Sequence, residues 1–163
     1  RDYDRSTSAH WTLEIDGYNS SEVWGGFRVG RRAHVSGLII REDNTVSAEH
    51  DGYHFLPGSP THKRSCSLMR KQLLINDYVY GPFSWAKIYF HIHPSIKVLL
   101  ADDNQHGFFV FPDGSKVLWE STSEELSIQD NLYSLEFGRK LPMKTIVLET
   151  KNNNETAFSI KWD

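Results

Sequence analysis

Nearly every apolar segment of this chain alternates with a period of two and is cut off by turn residues within about ten positions, which confines the backbone to short strands. The segments are rich in Val, Ile, Phe, Tyr and Trp, the residues that suit a pleated, half-buried surface. In order, the expected strands are His10–Ile15, Arg31–Arg41, Thr45–His50, Arg64–Met69, Gln72–Ile75, Ser84–His93, Ile96–Leu100, Gly107–Phe111, Ser115–Glu120, Glu125–Gln129, Met143–Thr150 and Thr156–Trp162. Turn chemistry falls between them at Asp16-Gly17, Pro112-Asp113-Gly114-Ser115 and Asn152-Asn153-Asn154. This pattern implies an all-β fold, a multi-stranded antiparallel β-sandwich with no helix longer than two turns. The one competing helix is Ser65–Ile75, "SCSLMRKQLLI", where strand is the preferred reading. Alternation assigns Leu13, Ile15, Phe90, Ile92, Phe109, Val147, Leu148 and part of Trp162 to the core.

A chain of 163 residues without internal repeat, linker or low-complexity tract is read as one domain over 1–163. Its net charge of −3 offers no basic field, which argues against nucleic acid as a partner. No apolar run approaches the ~18 residues of a membrane helix, so no membrane partner is expected. The single cysteine, Cys66, excludes an internal disulfide and is read as a small core residue. The sequence opens on Arg1 with no signal-peptide pattern, and the chain is expected to be a piece of a longer protein.

The segment "FHIHP", Phe90–Pro94, places two histidines one residue apart at the end of an alternating run. Alternation puts Lys87, Tyr89, His91 and His93 on one face, and the apolar Ala86, Ile88, Phe90 and Ile92 on the other. A metal could bridge the two imidazoles, but no carboxylate follows in Pro94-Ser95-Ile96-Lys97-Val98. Two hydrogen-bonded sheet histidines are the alternative, and the favoured one.

Three further stretches concentrate polar groups: "RSTSAH" (Arg5–His10), "EHDGYHF" (Glu49–Phe55) and "THKR" (Thr61–Arg64). They supply the residue types that bind sugar hydroxyls and carboxylates. Arg5, His50 and Tyr53 are the candidate substrate-binding residues, with a wet loop edge as the plainer reading of each. Arg31-Arg32 is read as a solvated strand face, and "VWGGF" lacks the following helix that a phosphate loop needs.

The motifs resemble, in order, those of the C-terminal β-sandwich of the heparinase II/III-like polysaccharide lyases. They are "RSTSAHWTLEIDGYNSSEVWGGFRVGRRA" (Arg5–Ala33), "EHDGYHFLPG" (Glu49–Gly58), "THKRSCSL" (Thr61–Leu68), "LLINDYVYG" (Leu73–Gly81), "FHIHPSIKV" (Phe90–Val98) and "SIQDNLYSLEFGRKLP" (Ser127–Pro142). The resemblance implies a supersandwich-like domain preceded by an N-terminal helical (α/α) toroid, with acidic, uronate-containing polysaccharide held between the two. It implies β-elimination by Tyr and His groups that lie outside this chain, so no catalytic residue is expected within it. By the same resemblance Arg5 lies at the cleft edge, and His10 matches a histidine that completes a zinc site in some members. Trp11 stands where the family usually has Asn, and the companion ligands are missing, so no cofactor is expected in this fragment; the resemblance leaves room for zinc in the full-length protein. The "HIHP" segment matches a recurring strand of the family, which makes His91 and His93 structural. A periplasmic or secreted location is what the resemblance implies; the residues themselves leave the compartment open. The rival readings are a non-catalytic carbohydrate-binding module stacking sugars on Trp11, Trp24, Trp85 or Trp119, and a structural domain of a surface-polysaccharide biosynthesis protein.

Overall fold

The computed structural model describes residues 3–151 and 153–163. Twelve strands form among the described residues, in the order expected: β1 (Leu13–Ile15), β2 (Val35–Ile40), β3 (Thr45–His50), β4 (Thr61–Met69), β5 (Gln72–Tyr80), β6 (Ala86–Ile92), β7 (Lys97–Leu100), β8 (His106–Val110), β9 (Lys116–Ser121), β10 (Glu125–Glu136), β11 (Arg139–Thr150) and β12 (Glu155–Lys161). The only helical pieces among these residues are two 3-10 turns, Tyr3–Arg5 and Thr7–Ala9. No helix is long and apolar enough to cross a membrane. The Ser65–Ile75 stretch is the β4–β5 hairpin, paired from Thr61↔Tyr80 to Met69↔Gln72.

The strands divide into a four-stranded sheet, ordered β1-β6-β11-β10, and an eight-stranded sheet, ordered β2-β3-β4-β5-β12-β9-β8-β7. Every strand pair is antiparallel. β6 shows how the sequence dictates the layer: its burial alternates without a break, with Ala86, Ile88, Phe90 and Ile92 inward. Phe90 stacks on Phe158 across the two sheets at 4.2 Å between centroids, and Phe158 on Trp119 at 6.0 Å. Aromatic pairs of this kind contribute about 0.5–1.5 kcal/mol beyond the area they bury.

The core departs from the expected list in two respects. Val147 is buried but lies opposite Tyr89 on the outward face of the small sheet, since its neighbour Leu148 takes the inward one. Trp162 is half-buried, as expected of it in part. Trp119, Phe158 and Tyr53, absent from the list, are among the largest fully buried side chains.

Two boundaries also differ. The hairpin of β10 and β11 is longer than expected, reaching Glu136 and Arg139 around Phe137-Gly138, where Gly138 takes φ +77°. Pro142 sits in β11 beyond Lys144, where the strand has lost β6 and keeps one neighbour, so its missing N–H is tolerated. β4 begins at Thr61 rather than at the expected Arg64, so "THKR" opens the strand and His62 turns inward. Of the expected turns, Asp16-Gly17 and Asp113-Gly114 carry positive φ at their glycines, and Asn152 lies outside the described residues.

The small sheet is half as wide as the large one, so it cannot cover β2 and β3. β2 is exposed along its whole length.

Candidate functional site

Residues 3–12 form a strap that precedes β1 and is held by side chains reading its backbone. The Arg5 guanidinium donates to the carbonyls of Trp24 (2.7 Å), Gly26 (2.8 Å) and Arg28 (3.0 Å). The Thr7 N–H donates to Asn19 Oδ1 at 2.7 Å, and Ser20 N–H to Thr7 Oγ1 at 2.9 Å. The Trp11 indole donates to the His91 carbonyl at 2.9 Å, while its ring stands edge-on to Phe90. Tyr3 meets Asn131 across the gap to β10.

Between this strap and the β10–β11 hairpin lies a groove of about 440 Å³. His10 and Trp11 form its strap wall, His91 and His93 its floor, and Tyr133 and Leu132 the hairpin wall. His10 is exposed and also borders a second hollow of about 230 Å³ shared with Arg5. His93 is exposed, bonds Ser95 Oγ through Nδ1 at 2.8 Å and presents its ring to Tyr133 at 5.4 Å. His91 is paired through Nδ1 with Thr145 Oγ1 at 2.8 Å; its Nε2 is sealed from water without a partner. Burial lowers the His91 pKa below the usual imidazole value, with the Ser8 carbonyl opposing. His91 is therefore a hydrogen-bonded residue of β6, while His93 lies one residue beyond that strand and bonds within the following turn; both line the groove.

The expected substrate-binding residues are separated by the fold. Arg5 is committed to three carbonyls and braces the Trp24–Arg28 loop. Tyr53 is fully buried, and its hydroxyl donates to the Leu13 carbonyl at 2.6 Å. The structure places this residue in the core, with none of its side chain at the surface. The reason is the free edge of β1, whose carbonyl needs a buried donor.

His50 belongs to a different arrangement. Gly52 N–H donates to its Nδ1 at 3.1 Å, which places the ring proton on Nε2, 2.9 Å from His62 Nδ1. The His62 proton is thereby on Nε2, 2.6 Å from Asp77 Oδ1. Arg64 closes the chain with Nε to Asp77 Oδ1 at 2.8 Å and Nη2 to Oδ2 at 2.9 Å, and its Nη1 donates to the Trp11 carbonyl. Burial alone would raise the Asp77 pKa, yet the bond from His62 and the charge of Arg64 hold it below the usual carboxylate range. Burial, aided by His62, pushes His50 down to about 4. This four-residue chain fills the seam where the small sheet ends and ties the strap to the large sheet.

Neither His62 nor Asp77 stood out as a site residue in sequence. The signal was there: Asp77 occupies an inward position of β5 between Ile75 and Val79, where a charge needs partners. His62 and Arg64 lie two apart on the neighbouring strand and so share its face.

Among the described residues no group of three or more His, Cys, Asp or Glu, His10 included, is placed to hold a metal ion. Glu14 accepts from Tyr89 at 3.2 Å on the outer face of the small sheet, its pKa raised by burial. Of the tryptophans, Trp119 is fully buried and Trp85 carries the Lys87 ammonium 4.8 Å above its ring. Trp11 and Trp24 remain partly exposed.

No curated protein matches the chain. Among solved structures, the heparan sulfate lyase HepC from Pedobacter heparinus superposes with a TM-score of 0.77 at 16% identity, over 99% of this chain and 25% of that one. Heparinase III, the BT4657 gene product, superposes with a TM-score of 0.74 at 17% identity, again over 99% of this chain and 25% of its own. The chain thus spans a quarter of the length of these neighbours, which share its fold. The model of the family "Heparinase II/III-like, C-terminal" matches residues 1–163. The chain belongs to that family, and over its whole length it is the family's C-terminal β-sandwich domain.

Proposed function

We propose that this domain is the sandwich half of a polysaccharide lyase whose other half is an N-terminal helical toroid. The groove between the strap and the β10–β11 hairpin is its share of the substrate cleft. The observation that carries this reading is the lining of that groove: the imidazoles of His10 and His93, the indole of Trp11 and the phenol of Tyr133 around one hollow. Imidazoles donate to carboxylate and sulfate oxygens, and aromatic faces take the apolar side of a pyranose ring. The similarity to heparan sulfate lyases supports an acidic, uronate-containing polymer as the ligand class.

In β-elimination the uronate carboxylate is neutralised, a base removes the C5 proton, and an acid protonates the departing C4 oxygen. Within this chain the groove residues bind and orient; the acid–base pair belongs to the toroid. The carbohydrate-binding-module alternative has less to stand on, because Trp119 is buried and Trp85 is covered by Lys87. Amide and side-chain NMR shifts during titration with uronate-containing oligosaccharides test the proposal. Shifts confined to the strap, β6 and the β10–β11 hairpin, lost in Trp11→Ala, are expected. Shifts elsewhere, or none at millimolar ligand, would overturn the groove as the binding surface.

A further inference from the structure

We infer that β2 is a homodimer edge, where two copies of this domain join their eight-stranded sheets by antiparallel β2–β2 pairing. The inference is independent of the lyase reading and concerns an edge of the large sheet that does not line the groove.

Among the described residues β2 is the outermost strand of that sheet, and one side of its backbone has no strand neighbour. Edges of this kind are ordinarily blunted by an internal charge, a proline, a β-bulge or a covering loop, and of these β2 has the bulge alone. The β2 sequence, Val-Ser-Gly-Leu-Ile-Ile, has neither a charge nor a proline. Its apolar side chains stand in solvent: Val35 is 73% exposed, Leu38 65% and Ile40 77%.

The occupant is selected by the bulge at the strand's centre. β2 pairs with β3 as Val35↔His50 and Ser36↔Glu49, then as Ile39↔Ser47 and Ile40↔Val46, with the irregularity between Ser36 and Ile39. Val35 and Ile40 consequently share one face, and Ser36 and Ile39 the other. Gly37, at φ +61°, makes the kink possible. A regular strand must slip by one residue to follow this edge, as β3 does. A second β2 running antiparallel needs no slip. With the two-fold axis between Gly37 and Leu38, Val35 of one copy lies opposite Ile40 of the other, and Ser36 opposite Ile39. Every facing pair then lies on one side of the joined sheet.

Charge points the same way. The chain entering β2 carries Arg32 and His34, and the chain leaving it carries Arg41 and then Glu42 and Asp43, all exposed. The same two-fold axis sets His34 of each copy opposite Arg41 of the other and brings Arg32 towards the other's Glu42-Asp43 turn. Asp43 retains a free oxygen for this, since only Oδ1 is bonded, to the Thr45 N–H. A partner of unrelated sequence would have to match this charge order; a second copy does so by symmetry.

Sedimentation equilibrium of the 163-residue chain from about 1 μM to about 200 μM tests the inference, a range suited to a small interface. A monomer–dimer equilibrium is expected. Ile40→Lys should abolish it while leaving the unfolding temperature unchanged, because the residue is exposed. Arg32→Glu and Asp43→Arg should each weaken dimerisation by about tenfold, and the double variant should restore it. A monomer at every concentration overturns the inference and leaves the edge to another chain or segment. So does a dimer that Ile40→Lys leaves intact, or one whose double charge reversal fails to recover.

Discussion

His62 Nε2 lies 2.6 Å from Asp77 Oδ1, with both side chains sealed from water. The Asp77 carboxylate is also gripped by Arg64, and His62 is in turn bonded to His50. This buried polar chain governs how the domain responds to acid and to mutation.

Acid should destabilise the fold through His50. Its imidazole has an ordinary pKa of 6.5 and is held at about 4 in the folded chain, by burial and then by His62, with Arg64 and His54 adding and Asp51 opposing. Between those values the unfolded chain binds a proton that the folded chain refuses, so stability falls as pH falls. A shift of this size corresponds to about 3 kcal/mol. Urea unfolding at pH 7 and pH 4.5 should show the loss, and His50→Gln should remove most of the difference. An unchanged difference in that variant would refute the assignment. Below the His50 range the lowered pKa of Asp77 extends the loss, since that contribution is present above the ordinary carboxylate value and disappears on acidification.

Asp77→Asn should cost about 3 kcal/mol in urea unfolding at pH 7, because it leaves Arg64 with a poorer partner in the seam. Arg64→Met, which keeps the stem and removes the charge, should also release the Trp11 carbonyl. In that variant the amide signals of residues 9–12 should shift more than those of the distant β7–β8 hairpin.

Gly107 of β8 faces the core where a Cβ would collide with the Leu99 carbonyl oxygen and the indole of Trp119. Backbone cannot yield as a flexible side chain does, so Gly107→Ala should destabilise by about 2–3 kcal/mol. Gly25→Ala, whose Cβ would meet nothing, is the matched control and should stay within about 0.5 kcal/mol. Thermal unfolding of the two variants decides the point.

The isolated domain should not cleave polysaccharide. Loss of a positioned base or acid costs about 10²–10⁴-fold each, and loss of the opposite cleft wall removes orientation as well. Heparin, heparan sulfate, hyaluronan or alginate incubated with the chain should give no ultraviolet absorbance of an unsaturated uronate, with or without zinc. A protein-dependent rise that vanishes in His10→Ala would place a complete active site within these residues.

Strand order was legible because period-two alternation and Asp-Gly turns are local. β3 runs from Thr45 to His50, the span that alternation and its flanking turns imply. The ends of β10 and β11 were not legible, since their tips around Phe137 pair only with each other and carry exposed residues without a buried face. The face assignments within Lys87–His91 follow from alternation alone, and the inward run of β6 bears them out. Which polar residues meet was decided by the tertiary structure. His50, His62, Arg64 and Asp77 come from three strands, and only the register His50↔His62 and Arg64↔Asp77 brings their side chains into one line. Tyr53 shows the converse: its phenol reads in sequence as a ligand-binding group, yet the free edge of β1 takes it as a buried donor. Local pattern sets which way a side chain points, because the pleat does so residue by residue. What it points at depends on strands far apart in sequence, and that only the folded sheet order supplies.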